Sequence, residues 1–187
     1  MTISQEEKVE FFKEELKIIY DPKVREFTRL CIMYCPDYIF EDCPSSSAGK
    51  FHPLDELSYD GTIIHTKKVF TMAYDMVKAL DCEKDRDIVL SASIIHDLRK
   101  RGTTNTGHTL KDHAAHAAML VDEVQSATGI LNEDQYQVLR NCVGLHYGPW
   151  SIPPWNKSMA DYTMPELALF LSDFVVSKRF IATDYRR

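Results

Sequence analysis

Residues 84–98 read Lys-Asp-Arg-Asp-Ile-Val-Leu-Ser-Ala-Ser-Ile-Ile-His-Asp-Leu, and this stretch indicates the fold class. Its apolar residues recur at the spacing of one helical face, at Ile88, Val89, Ala92 and Ile95. His96 extends the stripe of Val89 and Ala92, so it shares the face that would turn inward. The stretch therefore predicts a helix that carries a histidine, followed by Asp97, toward the core.

Helical spacing continues on both sides of this segment. It predicts further helices over 62–80, 111–128, 133–145 and 165–180. At the N-terminus, Ser4 and Glu7 form a capping box for a helix that runs to Ile19, and Pro22 begins a second one. No run alternates as a half-buried strand would. Because 187 residues fit one domain, we predict an all-α, single-domain helical bundle over 1–187, with N-terminal helices in 1–34.

Residues 35–61 interrupt the helical pattern. Prolines, glycines and a run of serines indicate a long irregular connection. A loop of this length in a compact domain is usually either functional or disordered. Phe51, Leu54 and Leu57 give it apolar side chains with which to pack. We therefore expect an ordered loop that lies over a site.

Composition and charge exclude some classes of function. The formal net charge of -6 argues against a protein that coats long nucleic acids, because that task needs many cations to displace counterions. The five cysteines show no paired metal spacing, which favours reduced thiols. The polar N-terminus is no secretory signal, and no apolar run approaches the roughly 20 residues that span a bilayer. We expect a cytoplasmic protein with no membrane partner.

Four polar residues fall on apolar helical faces. His65, His96 and His146 each extend an apolar stripe, and Asp173 interrupts one of the most apolar stretches of the chain. An unpaired charge in an apolar interior is very costly. If these faces converge in a bundle, they direct imidazoles and carboxylates at one point, which is how bundles build metal sites.

Each residue taken alone has an ordinary explanation. A core histidine bonded to a backbone carbonyl is more common than a metal ligand, and Asp173 could pair with Lys178 or Arg179 near its helix end. A His-Asp dipeptide also occurs often by chance. The metal-site interpretation therefore depends on the whole set, in order and on buried faces.

The order His65, His96-Asp97, Asp173 resembles the HD superfamily of metal-dependent phosphohydrolases. Residues 96–100 resemble the signature HD-x-x-K, 46–53 the segment S-x-G-K-x-H-P, and 61–66 the segment G-x-x-x-H-T. Residues 146–150 resemble H-x-G-x-W, and 171–177 resemble A-D-x-x-A-S with Ser172 in place of the usual alanine. The resemblance covers about 43–179, which would be the HD core.

The resemblance implies a ligand set for one or two divalent ions. Richer members of the superfamily hold two metals with two extra histidines, which His113 and His146 match. The alternatives are His116, one turn after His113, and a single ion with supporting histidines. His108 lies in a polar loop and is more typical of a solvated or substrate-side residue. Imidazole and carboxylate ligands suit Mn, Fe, Co, Ni or Zn. The implied metal ligands are His65, His96, Asp97, His113, His146 and Asp173.

The implied activity is hydrolysis of a phosphomonoester or phosphodiester in a small, nucleotide-type substrate by metal-activated water. Asp97 would be catalytic, bridging two ions or orienting the water of one, and Asp173 would bind metal and help to accept a proton. Lys100 would be catalytic through phosphate contacts, unless it is an ordinary cation at a helix end. The predicted substrate-binding residues are Ser47, Lys50, His52, Lys100 and Arg101, and Trp150 and Trp155 either wall a base pocket or simply pack.

Two rival functions are also compatible with the sequence. Myo-inositol oxygenase and related HD proteins hold two irons with four histidines and two aspartates, a set that this sequence could also supply. A degenerate domain that only binds a nucleotide is the other possibility, and the intact ligand set argues against it.

Overall fold

In the computed structural model, which describes residues 3–49 and 52–178, these residues form α-helices and short turns and no strand. The helices are α1 Gln5–Glu10, α2 Lys13–Ile18, α3 Pro22–Tyr34, α4 Tyr38–Glu41, α5 Gly61–Ala79, α6 Arg86–Ile95, α7 His113–Thr128, α8 Glu133–Leu145 and α9 Met164–Val176. The all-α class is confirmed. Over the same residues, none of the helices is long and apolar enough to cross a membrane.

The N-terminal segment begins as predicted and then differs. Ser4 caps α1 and Glu7 returns the bond, so the capping box is present. The prediction of a single helix is wrong, however, because the segment forms two helices, α1 and α2, with a break at Phe12. The break lets Phe12 and Ile19 bury completely against the rest of the core. The second predicted helix, α3, does begin at Pro22.

Helix α6 lies at the centre of the fold. Every residue from Ile88 to Ile95 is buried, because α3, α5, α8 and α9 pack around this helix. Burial on all sides is typical of such a central helix, and its two buried serines, Ser91 and Ser93, are hydrogen-bonded. It ends at Ile95, three residues before the predicted end, and the following turns keep His96 and Asp97 buried at the middle of the bundle.

The connection between α3 and α5 is ordered where it is described. It contains α4 and a 3-10 turn, Leu54–Leu57, and its backbone closes on itself through Ser45 N–H, which donates to Glu56 O at 2.9 Å. Gly61 permits this closure, since a Cβ there would lie 1.9 Å from the same Glu56 oxygen. The loop thereby carries the Glu56 side chain to the first turns of α5.

Candidate metal centre

A cavity of about 500 Å³ lies where α9 and the first turns of α5 and α7 meet the segments that follow α6 and α8. The described part of the 44–57 loop covers one side of it. Its lining residues are Ser45, Ser46, Ser47, Ala48, His52, His65, Asp97, Lys100, Thr109, Leu110, Lys111, His113, His146, Tyr147, Trp150, Phe170, Asp173, Phe174, Ser177 and Lys178.

Three of the histidines are oriented by the same kind of hydrogen bond. Each donates its Nδ1–H to the backbone carbonyl three residues earlier, and each therefore points Nε2 inward. The pairs are His96 with Ser93 at 2.7 Å, His113 with Leu110 at 2.8 Å, and His146 with Val143 at 2.7 Å. Two of these carbonyls belong to the last turns of helices and the third precedes α7, so helix ends set the directions of all three rings.

These three rings are neutral and present bare Nε2 lone pairs. Burial lowers the pKa of His96 to about 4 and also lowers the pKa values of His113 and His146. The Nε2 atoms of His113 and His146 lie 3.1 Å apart although neither carries a proton to share. Among the described residues, His96 Nε2 is buried without a hydrogen-bond partner. Such a set of donors fits a metal cation.

Asp97 stands between the imidazoles. Its Oδ1 lies 3.7 Å from His113 Nε2 and 3.9 Å from His146 Nε2, and no described group donates a hydrogen bond to it. Its Oδ2 lies 3.7 Å from His96 Nε2 and 2.6 Å from Lys100 Nζ. Burial would raise the pKa of Asp97, but Lys100 and the imidazoles hold it well below its usual value. The carboxylate is therefore ionised and available to ligate.

The ligand atoms form two groups that share Asp97. His65, His96 and Asp97 make one, and Asp97, His113 and His146 make the other, with the ligand atoms of each group within 4.8 Å of one another. All are nitrogen or oxygen donors, which suit borderline divalent transition metals. Each group could hold a metal ion, and the shared carboxylate could bridge them.

His65 differs from the other three histidines because carboxylates face both of its ring nitrogens. Its Nε2 lies 2.9 Å from Asp173 Oδ1 and its Nδ1 lies 3.0 Å from Glu56 Oε2. Burial alone would lower the pKa of His65, but the two hydrogen-bonded carboxylates raise it to about 9. The pKa of Asp173 is lowered although burial acts in the opposite direction, because His65 donates to it. An ion that took His65 Nε2 would replace this proton.

Glu56 is the residue that sequence reasoning missed. Its side chain is completely buried, and it accepts from His52 Nδ1 at 2.8 Å, from His65 Nδ1 and from Lys68 Nζ at 2.9 Å. Burial would raise the pKa of Glu56, but these donors, His52 foremost, lower it to about 2. His52, Glu56 and His65 also form a compact group of metal-binding types. Because Lys68 and two ring N–H groups already balance the charge of this carboxylate, it is placed to orient His65. Its only sequence signal is the four-residue spacing from His52.

The other predicted site residues have different surroundings. Lys100 is buried and also donates to Ser45 O at 3.0 Å. Ser47 lines the cavity, but its hydroxyl already accepts from Thr109 N–H at 2.8 Å, which joins two loops. His52 lines the cavity, and Lys50 lies outside the described residues. Arg101 does not line it, since its guanidinium donates to the Asp42 carbonyl at 2.8 Å.

The structure also distinguishes the alternative positions that the sequence offered for histidine ligands and for a tryptophan wall. His116 faces Asp112 at 3.6 Å and takes no part in either ligand group, while His108 is exposed in its loop. Trp150 lines the cavity, whereas Trp155 is buried with its ring against the backbone of Gly144. Packing is therefore the role of Trp155.

The comparisons with known proteins agree with this geometry. The family model for the HD domain matches residues 62–173, more than half of the chain, and this range includes the five candidate ligand residues of the two groups and Asp173. The match falls inside the predicted core of 43–179. No curated protein and no solved structure matches the chain. With this match and this arrangement of histidines and aspartates, the chain belongs to the HD-domain family, a superfamily of metal-dependent hydrolases.

Proposed function

We propose that this protein hydrolyses a phosphomonoester or phosphodiester bond of a small, nucleotide-type substrate with the help of two divalent transition-metal ions. The observation that carries the proposal is the pair of buried ligand groups that share the Asp97 carboxylate beside a cavity of about 500 Å³. That volume lies within the range of roughly 300–1,000 Å³ that is typical of small-molecule sites.

The residues divide between two ion sites. His65, His96, Asp97 and Asp173 would hold one ion, and Asp97, His113 and His146 would hold the other. Bound ions of this type lower the pKa of a coordinated water and neutralise phosphate oxygens as negative charge shifts during hydrolysis. The nitrogen and oxygen donors support Mn, Fe, Co, Ni or Zn as the metal.

The protein side chains would orient the reactants and move the proton. Lys100 keeps Asp97 ionised and positioned, and its ammonium would donate to a phosphate oxygen of the substrate. Asp173, freed from the His65 hydrogen bond when an ion takes the His65 Nε2 atom, would help to accept the proton of the attacking water. Lys111 and Lys178 add positive charge to the cavity lining, which favours an anionic ligand.

The test is an activity screen on protein first stripped with a chelator and then supplied with each metal. Phosphate or nitrophenol release would be measured with nitrophenyl phosphate mono- and diesters and with a panel of nucleotides. Asp97→Asn should lose more than about 100-fold in activity, since residues that merely support ligands are worth 10–100-fold. Asp112→Asn, close in sequence but outside both ligand groups, is the matched control.

Two results would contradict the proposal. One is an Asp97→Asn variant that matches the parent protein. The other is oxygen uptake with an organic substrate on the iron-loaded protein, without hydrolysis of any ester, which would favour an oxygenase that uses the same ligands.

A further inference from the structure

The cavity lining contains two chemically different kinds of side chain. Hydroxyl groups and lysines are one part of the lining, and an aromatic wall of four rings is the other, from Tyr147, Trp150, Phe170 and Phe174, with Lys178 against the Phe174 ring. Trp150 is 54% exposed, although it is the largest side chain in the lining. Exposing so much apolar ring surface at the edge of a site is typical of a contact surface for a ligand.

The fold holds the Trp150 ring in a defined place. Gly148 has a φ of +62°, and a Cβ there would lie 2.2 Å from the Phe170 ring, so only glycine allows this turn to pack as it does. The turn sets the indole nearly parallel to Phe174, at 11° with 6.0 Å between centroids. Phe170 supports Phe174 from behind at 5.7 Å. The aromatic wall is therefore built on the last core helix and is not a free loop.

The aromatic wall is continuous with the metal ligands. The His113 imidazole contacts the Tyr147 ring at 4.7 Å, and Tyr147 lies 5.9 Å from the Trp150 ring. His146, another ligand, precedes Tyr147 directly in the chain. One aromatic ring, that of Tyr147, therefore separates the candidate ligand His113 from the Trp150 indole, so a substrate with its phosphate at the ions could extend toward the indole.

We propose that Trp150 stacks on a flat aromatic ring of the substrate, so that the site selects phosphate esters that carry a nucleobase over sugar phosphates that carry none. This inference rests on the proposed function and deepens it. Every base has a π face, and stacking on a protein aromatic residue is tolerant of base identity.

The positive charges near the aromatic wall disfavour binding of a cationic ligand. Aromatic rings also bind quaternary ammonium groups, but Lys178 Nζ already lies 3.6 Å from the centre of the Phe174 ring and Lys111 lines the same cavity. A ligand cation would be repelled there. A neutral ring joined to a phosphate complements both the aromatic face and the lysines.

The first experiment measures binding without catalysis. The chain has two tryptophans, so Trp155→Phe leaves Trp150 as the only indole and its fluorescence reports on the cavity alone. Adenosine and adenosine monophosphate should quench this signal, and ribose 5-phosphate should not. Equal quenching by ribose 5-phosphate, or no quenching by either adenine compound, would overturn the proposal.

The second experiment compares the two substrate classes in catalysis. Trp150→Ala should raise KM for adenosine monophosphate by roughly 5- to 100-fold, the range expected for loss of one base stack. KM for ribose 5-phosphate should stay within about twofold, and Trp150→Phe should restore part of the loss. Tyr34→Ala, which removes an exposed aromatic ring outside the cavity, is the control.

The outcomes separate the two proposals. If Trp150→Ala raises KM equally for both substrates, the base-stacking proposal is wrong and the proposed hydrolysis is unaffected. If no phosphate ester is hydrolysed with any metal, the proposed function fails, and quenching by adenosine alone decides whether the Trp150 surface binds aromatic rings.

Discussion

Replacing Glu56 tests whether a carboxylate outside the ligand groups controls the metal site. Glu56→Gln keeps the shape of the side chain and one carbonyl oxygen but removes the charge. The amide oxygen can still accept from His65 Nδ1, and its NH₂ group would then face Lys68, whose half-exposed ammonium can turn to water. Glu56→Ala removes both the charge and the acceptor. It leaves the His65 N–H buried without a partner, which costs about 1–3 kcal/mol.

We expect metal affinity to fall in two steps. Residues that orient ligand histidines are worth about 10–100-fold in metal affinity. Glu56→Gln should lie near the lower limit of that range and Glu56→Ala near the upper limit. The loss should concern the ion held by His65, His96 and Asp97, because Glu56 contacts none of the ligands of the second group.

The assay is calorimetric titration of the stripped protein with Zn²⁺ or Mn²⁺. Glu166→Gln is the matched control, since Glu166 is a second buried glutamate that accepts from Lys157 and from Thr163 N–H away from the cavity. It should lower the melting temperature without changing metal affinity. Glu56 variants that fold and bind metal within twofold of the parent would refute the orienting role.

Three further predictions concern the same region. His113→Ala should reduce the bound metal from two ions to one, measured by elemental analysis, whereas His116→Ala should leave two; equal metal content in the two variants would contradict the two-ion arrangement. Because His65 has a pKa of about 9 when no ion holds its Nε2, metal binding must displace its proton. Apparent affinity should therefore rise by about tenfold per pH unit toward pH 9 and then level off, with proton release seen by titration in two buffers; a flat profile would refute this. Gly148→Ala should lower the free energy of unfolding by about 1–3 kcal/mol more than Gly129→Ala, because both have positive φ but only Gly148 has a ring in the way; equal melting temperatures would show that the ring moves freely.

The sequence predicted most of the helices because their apolar spacing was regular. Helices α5, α7 and α8 begin and end within two residues of the expected positions. The prediction was wrong at the N-terminus, where one apolar spacing continues across the break at Phe12 and so does not reveal it. It also extended α6 to residue 98, because Leu98 is buried and continues the apolar pattern after the helix has ended.

The candidate ligands were easier to recognise in the sequence than the residues that support them. His65, His96 and Asp173 stood out because polar residues on apolar faces are costly and need an explanation. Glu56 lies in a short turn with no periodic pattern, and its burial depends on how this turn, Leu54–Leu57, packs against α5. The sequence also could not show where the Arg101 side chain points. Only the structure shows that its guanidinium reaches the Asp42 carbonyl.

The contact between His65 and Asp173 joins residues that are 108 positions apart in the chain. A bound ion at this point would act as a removable cross-link between the first and last helices of the domain core. Ligands that bind only the native state stabilise it by about 2.7 kcal/mol when their concentration is 100 times Kd. Metal supply would then govern how long the chain survives unfolding and proteolysis, and starvation for the ion would deplete the protein itself as well as its activity.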